Sequence, residues 1–157
     1  MSEYKVRLEE LLPLIQECLG SGRSFTFSPH GVSMLPMLRQ GIDTVTLSPL
    51  PEKLRKYDLP LYRRPDGKFV LHRIVKAGQT YTCIGDHQFV YEKGVEHDWM
   101  IAVVTEFTRD GKRHSVREWP YRLYCRLWHY TRFPRRVWLS GISRVKRLLG
   151  TRKQIPS

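Results

Sequence analysis

The sequence predicts a mainly β protein: an antiparallel folded-over sheet or partial barrel, with an N-terminal helix ahead of it and a helical, basic C-terminal tail behind it. Three observations carry this. Short segments alternate apolar and polar residues with the period of two expected of half-buried strands. Turn pairs such as Asp66-Gly67, Ala77-Gly78 and Asp110-Gly111 punctuate these segments. No helical stretch falls between them, which favours antiparallel pairing over β-α-β units.

In chain order, Glu3 to Leu19 comes first, with Leu8, Leu11, Leu12, Ile15 and Leu19 at helical spacing and Gly20 as the stop. Pro13 breaks the hydrogen-bond ladder of a helix interior, so a kink, or a helix beginning near Leu12, is expected. Ser24 to Ser28 alternates Phe25 and Phe27 with polar neighbours and reads as a strand. Thr44 to Leu47, Leu59 to Arg63, Phe69 to Lys76, Thr80 to Ile84 and Met100 to Thr108 follow as further strands. In the tail, Tyr121, Tyr124, Cys125 and Trp128 share one helical face. Pro134 then interrupts, and Trp138, Ile142, Val145 and Leu149 form a second face, with disorder expected after Gly150.

Length and composition narrow the function. At 157 residues the chain can bury a core without metals or disulfides. It divides into a β domain with its helix at 1–118 and a basic aromatic tail at 119–157. Cys18, Cys83 and Cys125 are scattered and odd in number, which suits a reducing compartment and indicates neither a disulfide framework nor a zinc site. The histidines have no metal-site spacing, and no cofactor motif is present. No apolar run approaches the roughly 18 residues that span a bilayer, and the N-terminus lacks a signal-peptide pattern, so a cytoplasmic protein is expected. The net charge is +12, yet Trp119 to Ser157 holds ten Lys and Arg and no acidic residue, leaving the first 118 residues at 17 − 15 = +2.

Four short signatures occur in one order. Gly31-Val32-Ser33-Met34-Leu35-Pro36 places a serine in a turn-like segment, and His72-Arg73-Ile74-Val75 places a histidine in a strand candidate. Between and after them stand Tyr57-Asp58-Leu59-Pro60-Leu61-Tyr62 and Gly85-Asp86. A serine hydroxyl becomes a competent nucleophile when a neighbouring base takes its proton, and a histidine of ordinary pKa, about 6.5, does so at neutral pH.

Ser33 with Met34 and Pro36 resembles the nucleophile motif of the signal peptidase I clan of serine endopeptidases, and the resemblance covers about Gly31 to Val104. Gly41, Asp43 and Val45 are similar to its Gly-Asp-x-Val turn, Asp58 to the start of its Asp-hydrophobic-x-x-Tyr strand, and Gly85-Asp86 to its last box. A histidine at position 72, 39 residues after Ser33, resembles the Ser/His branch found in archaea and the endoplasmic reticulum. The sequence departs from the pattern in three places. Ile42 separates Gly41 from Asp43, Tyr57 stands where glycine is common before Asp58, and His87-Gln88 follow Asp86 with Glu92 in place of a second aspartate. The transmembrane helices usual in the family are also missing from the sequence.

The resemblance implies a signal peptidase/LexA-like fold and a serine-type endopeptidase acting on a peptide or leader sequence. It makes Ser33 the nucleophile and His72 the general base, with Asp86 as the carboxylate that orients the imidazole and Glu92 as the alternative acid. The backbone N–H of Ser33 or Met34 is the expected oxyanion donor. Met34, Leu35 and Pro36 are expected to line the substrate pocket, Arg73 to be structural, and Tyr62 and Phe69 to be strand packing. A histidine base predicts activity that falls as pH drops through about 6 to 7. The alternative is a non-catalytic module on the same fold. Residues 119–149 are expected either to be solvated helices that pack their aromatic stripe on the barrel or, with basic side chains beside Trp and Leu faces, to fit an anionic membrane surface at the inner face of the membrane. No stacking motif or known fold supports nucleic acid as the partner. A LexA-like self-cleaving regulator is the weaker relation, since that type uses a lysine base and only thirty residues precede Gly31.

Overall fold

Antiparallel strands make up most of the molecule, seen in a computed structural model that describes residues 8–137. The elements are α1 (Leu8–Gly20), β1 (Phe25–Phe27), β2 (Val45–Ser48), β3 (Pro60–Arg63), β4 (Phe69–Leu71), β5 (Arg73–Lys76), β6 (Tyr81–Ile84), β7 (Glu92–Val95), β8 (Met100–Arg109), β9 (Lys112–Ser115) and α2 (Trp119–Tyr130). A helical turn at 132–137 follows α2. The larger sheet runs β1-β2-β8-β3-β4, with β9 paired to β8, and the smaller runs β5-β6-β7. Every pairing is antiparallel. Among the described residues the sheets stay open and no closed barrel forms.

Two apolar cores follow from this division. Ile15 of α1, Met34, Met37 and Leu38 of the Ser33 segment, Val45, Leu47, Leu61, Val104 and the inner face of α2 form the first. Tyr62, Val70, Ile74, Tyr81, Cys83, Val95 and Met100 form the second. Leu61 and Tyr62, adjacent on β3, point to opposite faces as strand geometry requires, so β3 is buried on both sides. A bulge in the β3–β8 pairing lies at this same pair of residues.

Several expectations need correction. The single strand expected over Phe69 to Lys76 is two: β4 belongs to the larger sheet, β5 to the smaller, and the chain changes sheets at His72. Strands β7 and β9 were not expected, because Glu-Lys-Gly-Val and Lys-Arg-His-Ser lack apolar alternation. The first helix does not wait for Leu12: it already includes Leu8 and passes through Pro13, which is exposed, so the unpaired carbonyl one turn earlier faces solvent. The tail helix breaks at Thr131, not at Pro134, which sits in the first turn of 132–137 where a missing N–H costs little. The expected face through Trp138, Ile142, Val145 and Leu149, and the tail after Gly150, lie outside the described residues.

Among the described residues no helix is long and apolar enough to cross a membrane.

Candidate active site

Ser33 lies in a turn-rich loop between β1 and β2. Gly31 takes a φ of +104°, a backbone state that side chains resist. Met34, Met37 and Leu38 then plunge into the first core and fasten the loop. Its far end is clamped by Asp43, whose carboxylate accepts from the Arg39 backbone N–H at 2.8 Å and from the Arg39 guanidinium at 2.7 and 3.0 Å. Those bonds hold the Asp43 carboxyl below its usual range, against the opposing effect of burial. From the other side the loop at 85–88 closes on the serine: His87 N–H donates to the Ser33 carbonyl at 2.8 Å. A Cβ placed on Gly85 would sit 2.6 Å from that carbonyl oxygen, so only glycine permits this approach.

Ser33 is half-buried and His72 is buried, and both line one cleft of about 200 Å³ together with Gly31, Met34, Arg64 and Gln88. Among the described residues the Ser33 hydroxyl makes no hydrogen bond, to His72 or to any other group, so the pair faces a common space without closing on it. Neither the Ser33 nor the Met34 backbone N–H finds an acceptor among the described residues. Met34 lines it, whereas Leu35 and Pro36 do not: Pro36 is exposed and its carbonyl accepts from Arg109, because the chain turns away after Met34.

The two candidate acids occupy different places. Glu92, on β7, brings Oε2 to 3.7 Å from Nδ1 of His72. The same oxygen accepts from the Tyr62 hydroxyl at 2.6 Å, and that hydroxyl lies 3.5 Å from His72 Nδ1. Arg64 grips Glu92 with two bonds of 2.6 Å. A chain therefore runs from His72 through Tyr62 to Glu92 and Arg64. Burial tends to raise the Glu92 pKa, but the bonds from Arg64 and Tyr62 outweigh it and keep the carboxyl below its usual range. Burial, followed by the bond to Glu92, pushes the Tyr62 hydroxyl well up, so it stays a donor. Burial also pulls His72 down to about 4, against the opposite influence of Glu92, and the ring is neutral at physiological pH.

Asp86 is committed elsewhere. Its carboxylate takes a fork from Arg73, 2.9 Å from Nε and 2.7 Å from Nη2, and a third bond of 3.0 Å from the Tyr124 hydroxyl. Arg73 is fully buried and also donates to the Tyr121 hydroxyl at 2.7 Å and towards the sulfurs of Cys125 and Met37. The Trp128 indole N–H donates to the Asp86 carbonyl at 2.8 Å. Asp86 thus anchors α2 to the loop beneath Ser33, and the carboxylate against the imidazole is Glu92.

Tyr62 and Arg64 are the site residues that sequence reasoning passed over. Tyr62 looked like packing because it sits in an apolar strand, and its hydroxyl is what matters. The available signal was Arg64, a charged residue just past the end of β3 and two positions from Tyr62, the spacing that sets side chains on one side of an extended chain. Among the described residues no cluster of His, Cys, Asp and Glu could hold a metal ion. No family model, curated protein or solved structure matches this chain.

Proposed function

We propose that the protein is a serine endopeptidase of signal-peptidase type, with Ser33 as nucleophile and His72 as general base, acting on a peptide or leader segment laid in the cleft. The observation that carries this reading is the shared cleft: Ser33, whose hydroxyl is unbonded, and the buried His72 line one space together with Met34. In the proposed reaction Ser33 Oγ attacks the scissile carbonyl carbon while His72 Nε2 takes its proton. The oxyanion forms against the Ser33 and Met34 N–H groups, each worth about a hundredfold or more in rate. The imidazolium returns its proton to the leaving amine, and water repeats the sequence on the acyl-serine. Tyr62 and Glu92 hold Nδ1 and offset the charge that forms on the ring.

The test is a peptide library incubated with the parent chain, Ser33→Ala and His72→Ala, with products read by mass spectrometry. Cleavage by the parent alone, with all three proteins melting alike, is the expected result; equal cleavage by all three sinks the proposal. A second reading, a non-catalytic module on the same fold, is favoured by the missing Ser33–His72 hydrogen bond. A parent that cleaves nothing in the library and leaves Ser33 unlabelled by a fluorophosphonate would support it.

A further inference from the structure

Helix α2 is apolar on two opposite faces. Tyr121, Tyr124, Cys125 and Trp128 turn inward to the first core and the Asp86 loop. On the other side Trp119, Leu123, Leu127 and Tyr130 recur at intervals of four, four and three, and Phe133 and Val137 are exposed in the helical turn at 132–137 that follows. Each is between 45 % (Leu123) and 75 % (Phe133) exposed. Within α2 the row spans about three turns, roughly 17 Å, and a protein surface seldom leaves an apolar row of this kind uncovered.

The charges around the row name its occupant. Arg122 and Arg126 are exposed within the row and make no ion pair among the described residues. The Lys56 ammonium sits 5.8 Å from the centre of the Tyr130 ring at its edge. The last acidic residue, Glu118, is turned back to the Ser115 N–H at 2.8 Å and to His114 at 3.5 Å, and none follows it to Ser157. A second copy of the chain docked on this face would oppose like charges. Nucleic acid would engage Arg122 and Arg126 but leave Leu123, Leu127 and Val137 against a charged phosphate backbone with no apolar partner. Apolar side chains flanked by aromatic rings and arginines match the boundary between acyl chains and anionic headgroups.

We propose that the outer face of α2, continued through 132–137, is a docking surface for an anionic lipid bilayer, on which the helix lies in the membrane plane. This does not depend on the peptidase reading. The inner face of the same helix holds the loop against Ser33, so docking sets the cleft at a fixed orientation to the bilayer.

Flotation of the full chain with phosphatidylcholine–phosphatidylserine vesicles, and with phosphatidylcholine alone, tests it. The parent floats with the first and much less with the second. Leu127→Ser with Phe133→Ser, both exposed, lowers the bound fraction about tenfold or more. Arg122→Gln with Arg126→Gln lowers binding to the anionic vesicles about 25-fold, near fivefold per cation. Both variants keep residues 138–157 and melt with the parent. The proposal is overturned if the parent binds neither vesicle, or if both variants float as the parent does, which assigns binding to the tail beyond 137. It is also overturned if the variants instead abolish self-association in sedimentation or retention of nucleic acid while vesicle binding stays.

Discussion

Glu92 and Asp86 are both carboxylates close to the candidate site, and their partners separate them. Glu92→Gln leaves Tyr62 and His72 in place but removes the charge that offsets a protonated imidazole. On the peptidase reading we expect kcat to fall about a hundredfold, at the lower end of what general-base assistance contributes, with KM nearly unchanged and the melting temperature little moved. Asp86→Asn acts on the fold: a fully buried Arg73 loses its counter-charge, and about 3–5 kcal/mol of stability is lost. Thermal melts beside steady-state kinetics distinguish the two, and the assignment of Glu92 fails if Asp86→Asn lowers kcat while leaving stability intact. His72 makes its own prediction. Because burial holds its pKa near 4, the acid limb of kcat/KM should lie near pH 4 instead of 6 to 7, since the ring stays unprotonated and competent as a base down to that point. A pH–rate profile with its limb at 6 to 7 would contradict the buried setting. The backbone also carries the sequence departures. Tyr57, standing where the resembled motif has glycine, takes a φ of +79°, a left-handed state that costs a side-chain-bearing residue about 1 kcal/mol.

The elements were legible in proportion to their apolar pattern. Strands β1, β2, β3, β6 and β8 and the inner face of α2 alternate or repeat clearly, and each was expected within a residue or two. The polar strands β7 and β9 gave no such signal, although β7 carries Glu92. The break at His72 was invisible because Phe69 to Lys76 runs on with no Gly, Pro, Asn or Asp to punctuate it, and what divides β4 from β5 is the choice of partner strand, a tertiary fact. Of the site, Ser33 and His72 could be read from short motifs, whereas the roles of Tyr62, Arg64 and Asp86 depend on which side chains meet across sheets. At this scale α2 works as a strut. Trp128→Phe removes the indole donor to the Asp86 carbonyl and leaves a polar group short of a partner, so we expect a loss of about 1–3 kcal/mol. The melting temperature should fall, and amide hydrogen exchange at 85–88 should rise more than exchange in β8; uniform exchange across both would contradict a strut.

For the whole molecule, the depressed His72 pKa is a stability statement. The unfolded chain binds a proton at about 6.5 and the folded chain only near 4, so between these values the unfolded state holds more protons. The contribution is complete above pH 6.5 and is lost as pH falls towards 4, by up to about 3 kcal/mol. His129, lowered by burial and then by Lys56 and Arg132, acts in the same direction. Urea melts across pH 4 to 7 should show that slope in the parent and a flatter one in His72→Asn. One feature reaches further than the site. Ser33 is seated on the first core, while the residues that hold His72 belong to the second core and the smaller sheet, joined to the serine directly by the His87 bond to its carbonyl. The reactive distance therefore gauges how one half of the protein is seated on the other. On the peptidase reading, a small void in the second core, as by Val95→Ala, should alter turnover although Val95 does not line the cleft, so activity would report on packing between the two halves.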